Sequence, residues 1–173
     1  MKDVKLYVPN KSDFWFRAEC MSDPKTMSYN AGYNVEYFGY HYDTGCIDFP
    51  TEKWSDFDER LKNPNFYYAY ILDCNTNKYV GYLNYNMNAN TKEATMGIVI
   101  KDEYRGQGYM KPALELLIKK AKDCGVKYLT DTVPNTREIA LKVFYELGFN
   151  VVSQISSIKF NKPEIVFEIK KEL

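Results

Sequence analysis

The sequence predicts a mixed α/β domain in which helices cover a largely antiparallel sheet. Three consecutive runs rich in Tyr, Val and Ile, joined by Asn-rich turns, occupy the middle of the 173-residue chain and read as a meander. After them, strand-like runs alternate with two amphipathic helical patterns. No repeat, low-complexity tract or linker divides residues 1–173, a length that suits a single domain with its own core.

Taken in order, Lys5 to Val8 alternates and stops at Pro9, and Ser12 or Asp13 can cap a helix through Phe14, Phe16 and Ala18 to about Met21. Residues 22–50 carry Pro24, Gly32, Gly39 and Gly45 among asparagines and tyrosines without a stable period, the mark of a long functional loop or broken helix. Asp48 or Thr51 then caps a second helix bearing Trp54, Phe57 and Leu61, which stops before Pro64. The meander follows as Phe66 to Leu72, Tyr79 to Met87 and Ala94 to Ile100. Leu114, Leu117, Ile118 and Ala121 then fall at helical spacing, with Pro112 suited to a first turn and Gly125 to the position past the end. Val126 to Val133 is a strand. Asn135 is placed to cap a further helix, with Glu138 three residues on, a stripe of Ala140, Val143, Phe144 and Leu147, and Gly148 at its end. Two strands, about 149–159 and 165–169, finish the chain.

Charge is balanced, with 23 basic and 23 acidic residues and a pI near 6.6, so no global field recruits nucleic acid or an anionic membrane. A small polar ligand or a protein partner fits better. Cys20, Cys46, Cys74 and Cys124 include no CxxC pair, and the chain starts with a charged segment, which points to reduced thiols in a cytoplasmic protein. No run approaches the roughly 18 apolar residues of a membrane span, and no metal site is expected. Many of the 16 tyrosines and 10 phenylalanines crowd between Tyr29 and Tyr42 and between Phe66 and Tyr85, as either a wet-edged core or a binding surface.

The chemistry is concentrated between Ile98 and Met110, where a strand end passes through a glycine-bearing turn into a helix. Successive N–H groups of Gly106, Gln107, Gly108, Tyr109 and Met110, backed by the helix dipole, make an anion cradle suited to a pyrophosphate. Arg105 can add a charge-assisted bond or brace the loop. The third glycine of GxGxxG is missing, no βαβ unit precedes the turn, and no GxxxxGK[ST] loop exists, so nucleotide-binding folds of those kinds fit poorly.

Arg105-x-x-Gly108 on a strand-to-helix turn, followed by a strand, Asn135 and an amphipathic helix ending in Leu147-Gly148-Phe149, resembles the GNAT acetyltransferase superfamily, strongly over about Ala94 to Val152. The resemblance implies a mixed sheet with a splayed parallel pair, here Ala94 to Ile100 and Lys127 to Val133, and acetyl-CoA as cosubstrate with its pantetheine arm in the opening. It implies an acetyl-CoA core at about 94–152 and an acceptor half at about 1–90. It further implies a carbonyl-binding N–H around Ile98, Val99 and Ile100, contact of Asn135 with the pantetheine arm, and transfer to a primary amine of a small molecule or peptide in a ternary complex. Homodimer formation stays open.

Three positions depart from the family pattern. Met110 stands where Gly or Ala is usual, Thr95 where a basic Glu is frequent, and Phe144 where an acidic Tyr is frequent. Candidates for the catalytic roles are therefore Glu93, one strand period before Thr95; Tyr145, one residue after Phe144; and His41, the sole histidine, whose imidazole titrates in a useful range. Tyr33, Tyr37 and Tyr40 are candidates to line the acceptor site. Loss of both usual groups keeps a second reading in view, a non-catalytic acyl-CoA-binding or regulatory module.

Overall fold

The computed structural model describes residues 1–173. Its single sheet contains β1 (Val4–Tyr7), β2 (Phe66–Asp73), β3 (Lys78–Met87), β4 (Glu93–Ile100), β5 (Tyr128–Pro134), β6 (Asn150–Lys159) and β7 (Lys162–Glu172), ordered β1-β2-β3-β4-β5-β7-β6. Every neighbouring pair is antiparallel except β4 and β5. Helices α1 (Phe14–Ser22), α2 (Pro24–Met27), α3 (Trp54–Leu61), α4 (Met110–Asp123) and α5 (Glu138–Glu146) surround it. None is long and apolar enough to cross a membrane.

Alternation along β2 explains why the sheet needs cover on both faces. Phe66, Tyr68 and Tyr70 point one way, into a cluster with Phe14, Phe16 and Cys20 of α1 and Phe57 of α3. Ala69 and Ile71 point the other way, joining Leu114 and Leu117 of α4, Leu141 and Phe144 of α5, and Leu129 of β5. The central strands are thus apolar on both sides, which demands helices above and below. Most of the tyrosines between Phe66 and Tyr85 are core: Tyr68, Tyr70, Tyr82 and Tyr85 are all buried.

The expected helix caps are where sequence and structure part. Neither Asp48 nor Thr51 caps α3; Thr51 opens a short 3-10 turn after the extended Pro50. Asn135 does not cap α5, which begins at Glu138 with no side-chain cap. The backbone N–H of Asn135 instead donates to the Ile165 carbonyl at 2.9 Å, one step beyond the Pro134–Val166 pair, so continued pairing of β5 with β7 holds the chain extended past the potential cap. Within residues 22–50 the chain does form a helix: Asp23 accepts from the Lys25 and Thr26 N–H groups and Pro24 takes the first helical turn, which starts α2.

Tyr109, immediately before α4, ties that helix to the sheet. Its hydroxyl donates to Asp73 Oδ2 at 2.7 Å, and both side chains are buried. This bond, helped by the Asn75 N–H, holds the Asp73 carboxyl below its ordinary range. An acid with a depressed folded pKa contributes stability above its unfolded pKa and loses it as pH falls through the folded value. Tyr109→Phe should therefore melt at a lower temperature than the native chain at neutral pH, and thermal scans should show the gap narrowing as pH drops below the carboxylate range.

Candidate functional site

The site begins with a break in the sheet. β4 and β5 pair only at Glu93–Tyr128, Ala94–Leu129 and Thr95–Thr130. Beyond that, β4 stays on β3 as far as Ile100, and β5 stays on β7 as far as Pro134. Met96 to Ile100 and Asp131 to Pro134 thus each keep one edge free of partner strands, and the gap opens toward the end of β4. Unpaired strand edges present alternating N–H and C=O groups, the pattern that accepts an extended ligand as an added strand.

At the open end of that gap lies the glycine turn. Gly106 and Gly108 have φ of 71° and 86°, a region that side chains rarely enter, and a Cβ built on either meets nothing within 4 Å. The backbone N–H groups of Gly106, Gln107, Gly108, Tyr109 and Met110 donate to no acceptor within the chain. Free N–H groups at the start of a 14-residue helix form an anion site, and the residues present fit a pyrophosphate group. Arg105 takes the bracing role. Its Nε donates to the Ile100 carbonyl at 3.0 Å, and its terminal nitrogens donate to the Lys25 and Thr26 carbonyls at 3.1 and 2.5 Å. Thr26 is itself buried and accepts the Asp102 N–H at 3.0 Å, so α2 and the cradle form one hydrogen-bonded unit. The side chain of Gln107 turns back to the Glu103 carbonyl, leaving its N–H for the cradle.

Asp131 is the first β5 residue beyond the last β4–β5 pair. Loss of hydration pushes its carboxyl up to about 7, against the opposing pulls of the Thr132 N–H, at 2.8 Å, and Arg137. A carboxyl poised near neutrality at the mouth of a strand gap is suited to proton transfer. Alternation with Leu129 and Val133, both buried, is the signal in the sequence that marks it as an inward acid.

On the opposite face, Arg17 lies in the aromatic cluster, 4.4 Å from the Phe57 ring centre, 5.0 Å from Phe49, 5.1 Å from Tyr68 and 5.8 Å from Tyr82. Tyr82 pairs directly with Val99 of β4. Arg137 sits 5.5 Å over the Tyr29 ring, whose hydroxyl burial keeps protonated. These residues were not among the sequence candidates, although Arg17 falls three residues after Phe14 and four before Met21, on the buried stripe of α1.

The tyrosines expected to line an acceptor site have other commitments. Tyr33 donates its hydroxyl to Glu164 of β7, and its N–H goes to the Tyr40 hydroxyl at 3.2 Å. Tyr40 donates in turn to the Asn30 carbonyl at 2.8 Å, and the exposed Tyr37 accepts from Asn30 Nδ2. Together with bonds from the Phe160 N–H to the Gly32 carbonyl and from Lys159 Nζ to the Tyr29 carbonyl, they strap residues 29–42 to the β6–β7 hairpin.

The catalytic candidates are not brought together. Glu93 lies at the closed end of the gap and pairs with Lys170 at 3.0 Å. Tyr145 is exposed on α5, about 100 degrees around the helix from the buried Phe144. His41 is exposed and bonded to Asp48 at 2.8 Å. Ile98, Val99 and Ile100 do line the open stretch of β4, and Asn135 sits just past the end of β5.

A model of the Acetyltransferase (GNAT) family matches residues 29–149. Among solved structures, a GNAT-family acetyltransferase from Streptococcus pneumoniae superposes with a TM-score of 0.78 at 17% identity, over 99% of this chain and 100% of that one. A Salmonella typhimurium protein described as an acetyltransferase, solved with its cofactor acetyl-CoA, gives 0.74 at 15% identity, over 99% and 94%. Mutant forms of a spermidine/spermine N-acetyltransferase from Vibrio cholerae give 0.76 at 11%, over 98% and 95%. No curated protein sequence matches the chain. The structural likenesses speak for the fold, and the family match covers well over half of the residues, including the split strand pair's β4 and β5 and the glycine cradle; the chain belongs to the GNAT family of acetyltransferases.

Proposed function

We propose that the chain transfers an acetyl group from acetyl-CoA to a primary amine, with the cofactor held along the β4–β5 gap and the amine arriving from the α1–α3 face. The observation that carries this reading is the row of unbonded N–H groups from Gly106 to Met110 at the open end of a split strand pair. They would hold the pyrophosphate, and the free edge of Ile98 to Ile100 would hold the pantetheine arm and orient the acyl carbonyl. When bound, acetyl-CoA supplies an acyl group activated as a thioester. Spermidine and spermine, on which one structural neighbour acts, carry amines of the proposed class.

Asp131 supplies the base through the open gap, on the side where Arg137 lies near both it and Tyr29. At neutral pH its carboxylate takes a proton from the ammonium form of the acceptor, directly or through one water, which frees the nitrogen lone pair for attack on the thioester carbonyl; as the C–S bond breaks, CoA leaves as the thiol, taking up the proton the nitrogen sheds on becoming an amide. Glu93, Tyr145 and His41 are not needed in that scheme, and Arg105 serves by holding the cradle's shape.

Two experiments test it. Gly108→Val places a branched side chain in the open space above the cradle, as does Gly108→Asn, which tolerates positive φ far better. Calorimetry should show both folded variants losing at least about tenfold in CoA affinity; unchanged affinity in folded Gly108→Asn would place the cofactor elsewhere.

Asp131→Asn should lower kcat by about 10²–10⁴ and abolish the rise of kcat/KM through about pH 7. Stability should move the other way. An acid with a raised folded pKa stabilises the fold fully below its unfolded pKa and loses that contribution as pH rises through the folded value. The Asn variant should therefore gain thermal stability relative to the native chain between pH 5 and 8. A residue with a merely structural role would lose activity and stability together.

A further inference from the structure

Arg17 has no ion pair, and its backbone N–H donates to the Tyr70 hydroxyl at 3.3 Å. Its Nε and the neighbouring Tyr68 hydroxyl are both buried without partners. The charged groups around it do not neutralise it. The groups facing its guanidinium are Tyr68, Tyr70 and Tyr82, all buried phenols, and its field adds to the burial that lowers the pKa of nearby Arg60. Aromatic faces attract a cation but cannot satisfy the in-plane N–H groups of a guanidinium, which match a carboxylate in geometry. A cation largely withdrawn from water is ordinarily retained with a partner anion, and no carboxylate of this chain pairs with the half-buried Arg17.

The position of that charge ties it to the transfer site. Arg17 stands over Tyr82, and Tyr82 pairs with Val99 on the open stretch of β4. Val99 belongs to the same buried cluster as Tyr68 and Tyr82. On the other side of Tyr29, Arg137 and Lys159 add positive charge, and burial weakens the protonation of both. Tyr29 and Tyr82 bring their hydroxyls together, so an acceptor lying over that pair meets cations at both ends.

We propose that Arg17 reads a carboxylate on the acceptor, so that the amine acetylated by this chain belongs to a carboxylate-bearing molecule such as an amino acid and not to a polyamine. This rests on the acetyl-transfer reading above. The bond would satisfy the in-plane donors of Arg17 while its aromatic neighbours exclude water, and it would turn the carboxylate-bearing end away from the gap and the amine toward it.

The test pairs amino acids with their decarboxylated amines, lysine with cadaverine, tyrosine with tyramine and glutamate with 4-aminobutyrate, adds spermidine, and follows thiol release from acetyl-CoA. At least one amino acid should exceed its amine partner in kcat/KM by about tenfold or more. Arg17→Gln should erase that ratio through KM for the amino acid, with acetyl-CoA affinity by calorimetry unchanged, and Arg17→Lys should restore part of it. If Arg17→Gln fails to fold in a thermal scan, the ratio in the native chain and in Arg17→Lys decides the matter. Equal turnover within each pair, preferred turnover of spermidine, or an Arg17→Gln loss of the same factor for both partners overturns this inference and leaves the transfer reading standing. A panel inert throughout, with acetyl-CoA bound, overturns both.

Discussion

The early end of the β4–β5 pairing is the constraint on which the site depends. Each strand makes seven residue pairs with its outer neighbour, β4 with β3 and β5 with β7, while only three join β4 to β5. The sheet is therefore two antiparallel halves hinged along one short parallel seam. Past the seam, backbone groups that would normally satisfy one another face a gap, and burying them without partners would be costly. A ligand with an amide-bearing extended arm would satisfy them, which is why the break and the glycine cradle beyond it make chemical sense together.

Two devices keep the halves in place across the opening. Leu114 and Leu117 of α4 belong to one buried cluster with residues of both halves, including Met96 of β4 and Leu129 of β5. On the other side, residues 29–42 leave the first half and fasten to the β6–β7 hairpin, with Gly32 so close to the Phe160 ring that an added Cβ would lie 2.5 Å from it. The tyrosines of this strap spend their hydroxyls on loop carbonyls, N–H groups and Glu164. Their density in the sequence thus reflects a long loop that must be ordered without regular structure, where hydroxyl-tipped rings supply both packing and hydrogen bonds.

What could be read in the sequence is what depends on local chemistry. The cradle was legible because a strand-to-helix change with Gly106 and Gly108 is a property of contiguous residues, and the meander and helix stripes were legible from their periods. Asn135 misled because its capping signal is local, whereas the ladder to Ile165 that overrides it joins residues thirty apart. Asp131 and Arg17 carry polar groups in otherwise apolar patterns, a visible signal, but their meaning depends on where pairing stops and which rings converge, and both are tertiary facts. Glu93 shows the converse: the right chemical type at the right strand period falls at the closed end of the seam, against Lys170.

Hydrogen exchange on the native chain, with and without CoA, tests the claim that the gap and cradle are a single cofactor slot. Local protection reports which amides gain partners. CoA should slow exchange in segments covering Met96 to Ile100 and Gly106 to Met110 together, with little change in β1 and the outer edge of β6. Protection confined to other parts of the chain, or to one of those two segments alone, would contradict it.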